Sequence, residues 1–69
     1  MERTSVSSSN VQSVGYDPDS SILEVEFNNG SVYQYSAVPQ GEFDGLMAAA
    51  SIGAYLHARV KNSYSCIKL

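Results

Sequence analysis

Few side chains in this sequence of 69 residues are of a type that does chemistry. The chain contains one histidine, His57, and one cysteine, Cys66. A nucleophile and its base also require a third group that orients the base, and no residue can be assigned to that role. Asp17 and Asp19 flank a proline, as turn residues do, and supply too few ligands for a metal ion. The sequence therefore predicts a protein that is not an enzyme and binds no metal, cofactor or small-molecule substrate.

The cations of the chain are concentrated near its C-terminal end. The net charge is -3, but all seven carboxylates lie within residues 1–50 with one arginine, while residues 51–69 hold three cations and no acid. Such an asymmetry can mark a surface for an acidic partner, or the cations can simply offset nearby acids. His57 and Lys61 are one turn apart on a predicted helix and therefore adjacent. The candidate nucleic-acid-binding residues are His57, Arg59, Lys61, Lys68 and Tyr64, the last as a stacking ring.

Tyr33 and Tyr35 are separated by one residue in a predicted strand, so their rings lie on the same face. Two roles are open to this pair. Exposed rings beside positive charge form a stacking platform for single-stranded nucleic acid, whereas buried rings pack the core. The register of the hairpin that contains the pair decides between the two roles.

The length of the turn at residues 28–30 sets that register. A two-residue turn places the tyrosines on the face of Glu24 and Glu26, whose charge repels phosphate. A three-residue loop, with Gly30 in the left-handed conformation, places them on the face of the apolar residues of the preceding strand. We favour the three-residue loop because it gathers the large apolar side chains on one face. The two tyrosines are therefore interpreted mainly as core residues.

The pattern of apolar residues predicts an α+β fold. Turn clusters at residues 17–20 and 28–30 divide three short strands of an antiparallel meander. Apolar residues at helical spacing predict a helix over residues 39–50 and a second short helix capped by Ser51, and the two helices pack on the sheet. The last segment, residues 63–69, forms either a short edge strand or a stretch lying along the sheet. The predicted core consists of Leu23, Val25, Phe27, Tyr33, Tyr35, Val38, Phe43, Leu46 and Leu56.

Length and composition indicate a single folded domain. A chain that is 43% hydrophobic and 16% charged is typical of globular proteins, and 69 residues leave no room for two cores. Residues 1–9 are polar and rich in serine, so we expect a flexible tail before a domain at residues 10–69. No apolar run approaches the ~20 residues that span a bilayer, and the N-terminus lacks the apolar stretch of a secretory signal. We therefore expect a cytoplasmic protein without membrane contact.

Four stretches of the sequence, "SVGYD", "LEVEF", "VYQYSAVP" and "AASIGAYLHARVKNSY", resemble the KTSC domain family. The matching pattern runs from Ser8 to Tyr64 and contains a Tyr-x-Tyr pair, a Val-Pro step and a Ser-x-Gly turn before the last helix. The family occurs at the C-terminus of some lysyl-tRNA synthetases and as separate small bacterial proteins. The resemblance implies a fold of this size, and that association suggests RNA binding. A neutral stretch, residues 63–67, departs from the basic residues expected there and weakens the suggestion.

The sequence thus predicts a small non-catalytic binding module with RNA as a weakly bound partner. The alternative is a module for protein–protein interaction or homo-oligomerisation. A three-stranded sheet leaves an edge strand unpaired, and a small core gains stability against another protein or a second copy. Salt distinguishes the two functions, because nucleic-acid affinity falls steeply with ionic strength.

Overall fold

The strands form one antiparallel sheet in chain order. The computed structural model describes residues 1–69. Between the fourth and fifth strands the chain forms two helices, α1 (Gln40–Ala48) and α2 (Ile52–Tyr55), and α2 continues into a π-helical segment (Leu56–Val60). The α+β class is confirmed, but the sheet has five strands and not the predicted three. The strands are β1 (Thr4–Ser5), β2 (Val11–Asp17), β3 (Ile22–Phe27), β4 (Val32–Tyr35) and β5 (Cys66–Lys68).

The β3–β4 hairpin has the predicted register. The Phe27 amide donates to the Ser31 carbonyl at 2.8 Å and the Gly30 amide donates to the Phe27 carbonyl at 2.9 Å, which closes a three-residue loop. Gly30 has a φ of +88°, a conformation that glycine adopts without steric cost. Val25 consequently lies opposite Tyr33, so the tyrosines of β4 share a face with the apolar residues of β3.

The helices cover this face, which we call the inner face, and the opposite face is the outer face. Six of the nine predicted core residues are buried, while Phe27, Tyr33 and Phe43 are half-buried against them. The predicted core lacks Val11, Val14 and Val60. An irregularity between Val11 and Ser13 interrupts the alternation of β2, and Val60 belongs to the π-helical segment. The buried apolar core consists of Val11, Val14, Leu23, Val25, Tyr35, Val38, Leu46, Leu56 and Val60.

The N-terminal residues differ from the predicted flexible tail. β1 pairs with β2, and the chain before it packs so closely on Gly15 that a Cβ there would collide with the Glu2 carbonyl. On the outer face, Arg3 Nη1 donates to Glu24 Oε2 at 2.8 Å. Gln34 Nε2 donates to the other oxygen of Glu24 at 2.8 Å, so both oxygens of this buried carboxylate are paired. The predicted boundary between tail and domain is therefore corrected, since the folded sheet includes β1.

The C-terminal half differs from the prediction mainly in the lengths of its elements. α1 occupies residues 40–48 within the predicted span of residues 39–50. Ser51 Oγ accepts a hydrogen bond from the Ala54 amide at 3.2 Å, which is the predicted cap of α2. Of the two alternatives for the last segment, the structure shows the edge strand, β5, which pairs with β4. No helix combines the length and the apolar composition that crossing a membrane requires.

Candidate nucleic-acid interface

A groove of about 660 Å³ opens beside the β3–β4 hairpin. Four segments that are distant in the sequence enclose it, namely the residues before β2, the hairpin itself, the helical stretch from α2 to residue 62, and β5. The groove is therefore a product of the tertiary fold and not of any local motif. Its lining residues are Ser9, Asn10, Phe27, Asn28, Asn29, Ser31, Tyr33, Tyr35, Gly53, Leu56, His57, Lys61, Asn62 and Cys66.

Three aromatic rings and Leu56 form the apolar part of the groove. Phe27 and Tyr33 are half-buried and pack edge to face, with ring centroids 5.6 Å apart and an interplanar angle of 81°. This geometry is a favoured one for aromatic pairs and restrains the orientation of both rings. The groove thus presents a preformed aromatic surface.

Tyr35 contributes a hydroxyl without a partner. Only 4% of the residue is exposed, and its side chain makes no hydrogen bond within the protein. No fully buried side-chain oxygen lacks a partner, so the Tyr35 hydroxyl reaches the protein surface, and the residue lines the groove. Burial, followed by the neighbouring Cys66 and Tyr33, raises the pKa of Tyr35 above its ordinary value. The hydroxyl therefore stays protonated at neutral pH and can both donate and accept a hydrogen bond.

Two lysines flank the groove. Lys61 lies on the wall that the helical stretch forms, one turn from His57. Lys68 of β5 lies opposite Tyr33, so its side chain leaves the sheet on the same face as that ring. Neither lysine forms an ion pair within the protein. Both charges are consequently available to an anionic ligand.

No carboxylate lines the groove. Glu24 and Glu26 of β3 project from the outer face, where Arg3 lies 2.8 Å from Glu24 and Ser13 Oγ donates to Glu26 at 2.9 Å. The observed register thus keeps these glutamates on the opposite face of the sheet from the tyrosines. In a chain with a net charge of -3, the groove is an acid-free region.

The structure divides the five predicted nucleic-acid-binding residues between two places. His57 and Lys61 line the groove, and Lys68 lies beside it. Arg59 and Tyr64 instead line a separate shallow depression. The five candidate residues therefore do not share one surface in the structure.

The charge of Arg59 is paired within the protein. Its Nε lies 3.4 Å from Glu42 Oε1, and its guanidinium carbon lies 5.5 Å from the centroid of the Tyr55 ring. The hydrogen bond to Glu42, and then the charge of that carboxylate, raise the pKa of Arg59. Helical spacing alone could not reveal this pairing, because Glu42 belongs to α1.

Sequence reasoning missed the amide side chains of the groove. The amides of Asn10 and Asn62 line it and make no hydrogen bond within the protein. Asn28 is engaged instead, because its Nδ2 donates to the Ser9 carbonyl at 2.8 Å and so joins the hairpin to the segment before β2. No local pattern marks Asn10 or Asn62, since only the tertiary fold brings their two segments together. The sequence identifies residues 28–30 as a turn but does not show that this turn forms a wall of the groove.

Comparisons with known proteins connect this architecture to a family. The family model of the KTSC domain matches residues 7–64. The chain is 44% identical over 57 residues to a protein of Stutzerimonas stutzeri, covering 83% of this chain and 80% of that protein. It is 39% identical over 64 residues to a protein of Tsukamurella paurometabola, covering 93% and 96%. The crystal structure of a KTSC domain protein from Yersinia pestis matches with a TM-score of 0.96 at 38% identity, covering 99% of this chain and 96% of that one.

The chain is also similar to part of a much longer protein. It is 34% identical over 54 residues to the lysine–tRNA ligase of Nostoc sp.. The match covers 78% of this chain but 10% of the ligase. The likeness therefore concerns one small part of that enzyme.

Proposed function

The chain belongs to the KTSC domain family, and we propose that it is a small non-catalytic module that binds single-stranded RNA weakly. The observation that carries the proposal is the groove, where aromatic rings and two flanking lysines occur together without any acid. Bases stack on aromatic rings whatever their sequence, and lysines neutralise phosphates. A single strand suits such a surface better than a duplex, whose bases are already stacked and paired.

The number of free cations limits the affinity. Glutamates hold Arg3 and Arg59, which leaves Lys61 and Lys68 for phosphates. With about two phosphates neutralised, log K should fall with log salt with a slope of about -1.4. An affinity in the micromolar range or weaker is consistent with so few contacts.

RNA is favoured over other acidic partners by two observations. A stretch similar to this chain is part of the lysine–tRNA ligase of Nostoc sp., an enzyme whose name states tRNA as its substrate. The aromatic surface of the groove also favours RNA, because planar bases use ring faces that a purely acidic peptide does not need.

A non-catalytic role is part of the same proposal. His57 and Cys66 both line the groove, but neither makes a side-chain hydrogen bond to the other or to a third group. A nucleophile and its base require such contacts. The free thiol of Cys66 suits a reducing compartment, so we place the protein in the cytoplasm.

A second candidate function is association with another protein or a second copy through β5. β5 is an edge strand, and two apolar side chains at its end, Ile67 and Leu69, are 60% and 63% exposed. The unpaired backbone groups of an edge strand can accept a further strand. β5 offers three residues for that pairing, so the groove remains the better supported site.

An NMR titration with a mixed-sequence single-stranded RNA at low salt tests the RNA proposal. We expect chemical-shift changes at the groove. Lys61→Gln should weaken binding several-fold and the Lys61→Gln, Lys68→Gln double variant should abolish it. Arg59→Gln removes the same charge outside the groove and should leave binding unchanged. Absence of shifts at low salt, or an equal loss with Arg59→Gln, would favour protein association, as would binding that is insensitive to salt.

A further inference from the structure

We propose that the groove holds one unpaired base of the RNA, with the ring of the base against Tyr33 and its polar edge on the hydroxyl of Tyr35. This inference rests on the proposed function and adds the unit that is recognised. Phosphate contacts alone carry no sequence information. A hydrogen bond between a fixed hydroxyl and the edge of a base does carry sequence information, because the four bases have different edges. The inference therefore predicts selectivity among the four bases.

The Tyr35 hydroxyl is the group from which the inference starts. The residue is 4% exposed and its hydroxyl makes no hydrogen bond within the protein, but the hydroxyl is not fully buried, so it can pair with a group that enters the groove. β4 is an interior strand, paired with both β3 and β5, and the position of Tyr35 is therefore fixed by the sheet. The hydroxyl is not sealed inside the protein, so the edge of a base can exchange hydrogen bonds with it in place of water.

Tyr33 supplies the ring surface. It is half-buried, its orientation is restrained by Phe27, and it lines the groove. Tyr33 and Tyr35 are neighbours on one face of β4, about 7 Å apart along the strand. A planar base on the first ring therefore lies within reach of the hydroxyl of the second.

The rim of the groove supplies groups for the rest of the nucleotide. The free amides of Asn10 and Asn62 lie on different walls, and each can donate and accept. Lys61 and Lys68 flank the aromatic surface, where the phosphates on either side of an inserted base would lie. The volume of about 660 Å³ is typical of small-ligand sites, so the groove accommodates a nucleotide and not a duplex.

The test compares the full-length chain with Tyr35→Phe, which removes one oxygen and keeps the ring. Four single-stranded RNA tetranucleotides, each of one base, serve as probes. The unmodified chain should bind one or two of them more tightly than the rest. Tyr35→Phe should weaken those about three- to tenfold and leave the weakest unchanged. Tyr64→Phe removes a hydroxyl outside the groove and, as the matched control, should change none of the four affinities.

The outcomes separate this inference from the proposed function. Equal affinities for all four tetranucleotides would overturn the inference that a base is inserted. Affinities that are unchanged in Tyr35→Phe but lost when Lys61 and Lys68 are both changed to Gln would overturn it too. Failure of all four to bind at low salt overturns RNA binding itself. A second measurement needs no variant. In the complex, intermolecular NOEs should connect base protons with the rings of Tyr33 and Tyr35, and NOEs confined to the two lysines would contradict the inference.

Discussion

The buried carboxylate on the outer face of the sheet and the groove on the inner face differ in how their polar side chains are paired. On the outer face, both oxygens of Glu24 have partners, Arg3 and Gln34, each at 2.8 Å. In the groove on the inner face, the hydroxyl of Tyr35 and the amide of Asn62 have none. Paired groups hold the fold together, whereas unpaired groups remain available to a ligand. The polar contacts of Glu24 and the unpaired polar groups of the groove therefore lie on different faces of the sheet, and substitutions can test the two sets separately.

The difference arises from what covers each face. On the outer face, the N-terminal segment packs against Gly15 and brings Arg3 to Glu24. On the inner face, the helices bury the core but leave Phe27 and Tyr33 half-exposed, and the groove lies over these two rings. The groove is therefore the part of the inner face that the helices do not cover.

The largest effect is expected from Phe27→Ala, because Phe27 belongs to both the core margin and the groove. Loss of the ring should lower the free energy of unfolding by about 3 kcal/mol, the low end for such a change, since Phe27 is half-buried. It should also release Tyr33 and so weaken RNA binding. Urea unfolding measures the first effect, with the exposed Met47→Ala as a control that should stay within about 0.5 kcal/mol. An unchanged free energy of unfolding would show that the Phe27 ring does not support the fold.

A smaller loss of stability is expected from Arg3→Ala, with no effect on RNA binding. The change leaves Glu24 with Gln34 as its only partner. A hydrogen bond to a charged group contributes about 1.5–3 kcal/mol, and the partial exposure of Arg3 reduces the expected loss to about 1 kcal/mol. Urea unfolding measures the loss, and Arg59→Ala, which breaks an exposed ion pair, should cost less. Weaker RNA binding by a folded Arg3→Ala variant would show that the two faces are coupled.

The sequence predicts the inner face better than the outer face. At the β3–β4 hairpin two local signals agree, since Gly30 suits the turn and the alternation of β3 suits the register. β1 has no apolar periodicity, and it forms because a neighbouring strand is present to pair with it. Gly15 is the one signal for it, because a glycine inside a strand often marks the close approach of another backbone.

The candidate site could be predicted only in parts. The distribution of charge in the sequence indicates Lys61 and Lys68 as candidates. It also indicates Arg59, whose partner Glu42 lies 17 residues away on another helix. Spacing placed the two tyrosines of β4 on one face, but it could not show that they border an opening. Residues from both ends of the chain meet at the groove, and only the packed fold decides which of them do.

The smallest effect is expected from Tyr35→Phe on the stability of the free protein. Because the hydroxyl has no partner, its removal should change the free energy of unfolding by less than about 0.5 kcal/mol at neutral pH, unlike Arg3→Ala. Burial first, then Cys66 and Tyr33, raise the pKa of Tyr35 in the folded state, so the unfolded chain releases the proton at lower pH. The contribution of Tyr35 to the free energy of unfolding is therefore fully present below the ordinary tyrosine pKa of about 10. It is lost as the pH rises through the folded-state pKa. Urea midpoints at about pH 8 and about pH 11 should show a smaller alkaline loss in Tyr35→Phe than in the unmodified chain or in Tyr64→Phe. The same alkaline loss in all three would mean that the Tyr35 hydroxyl is solvated like any surface group, and the contrast between the two faces would not hold.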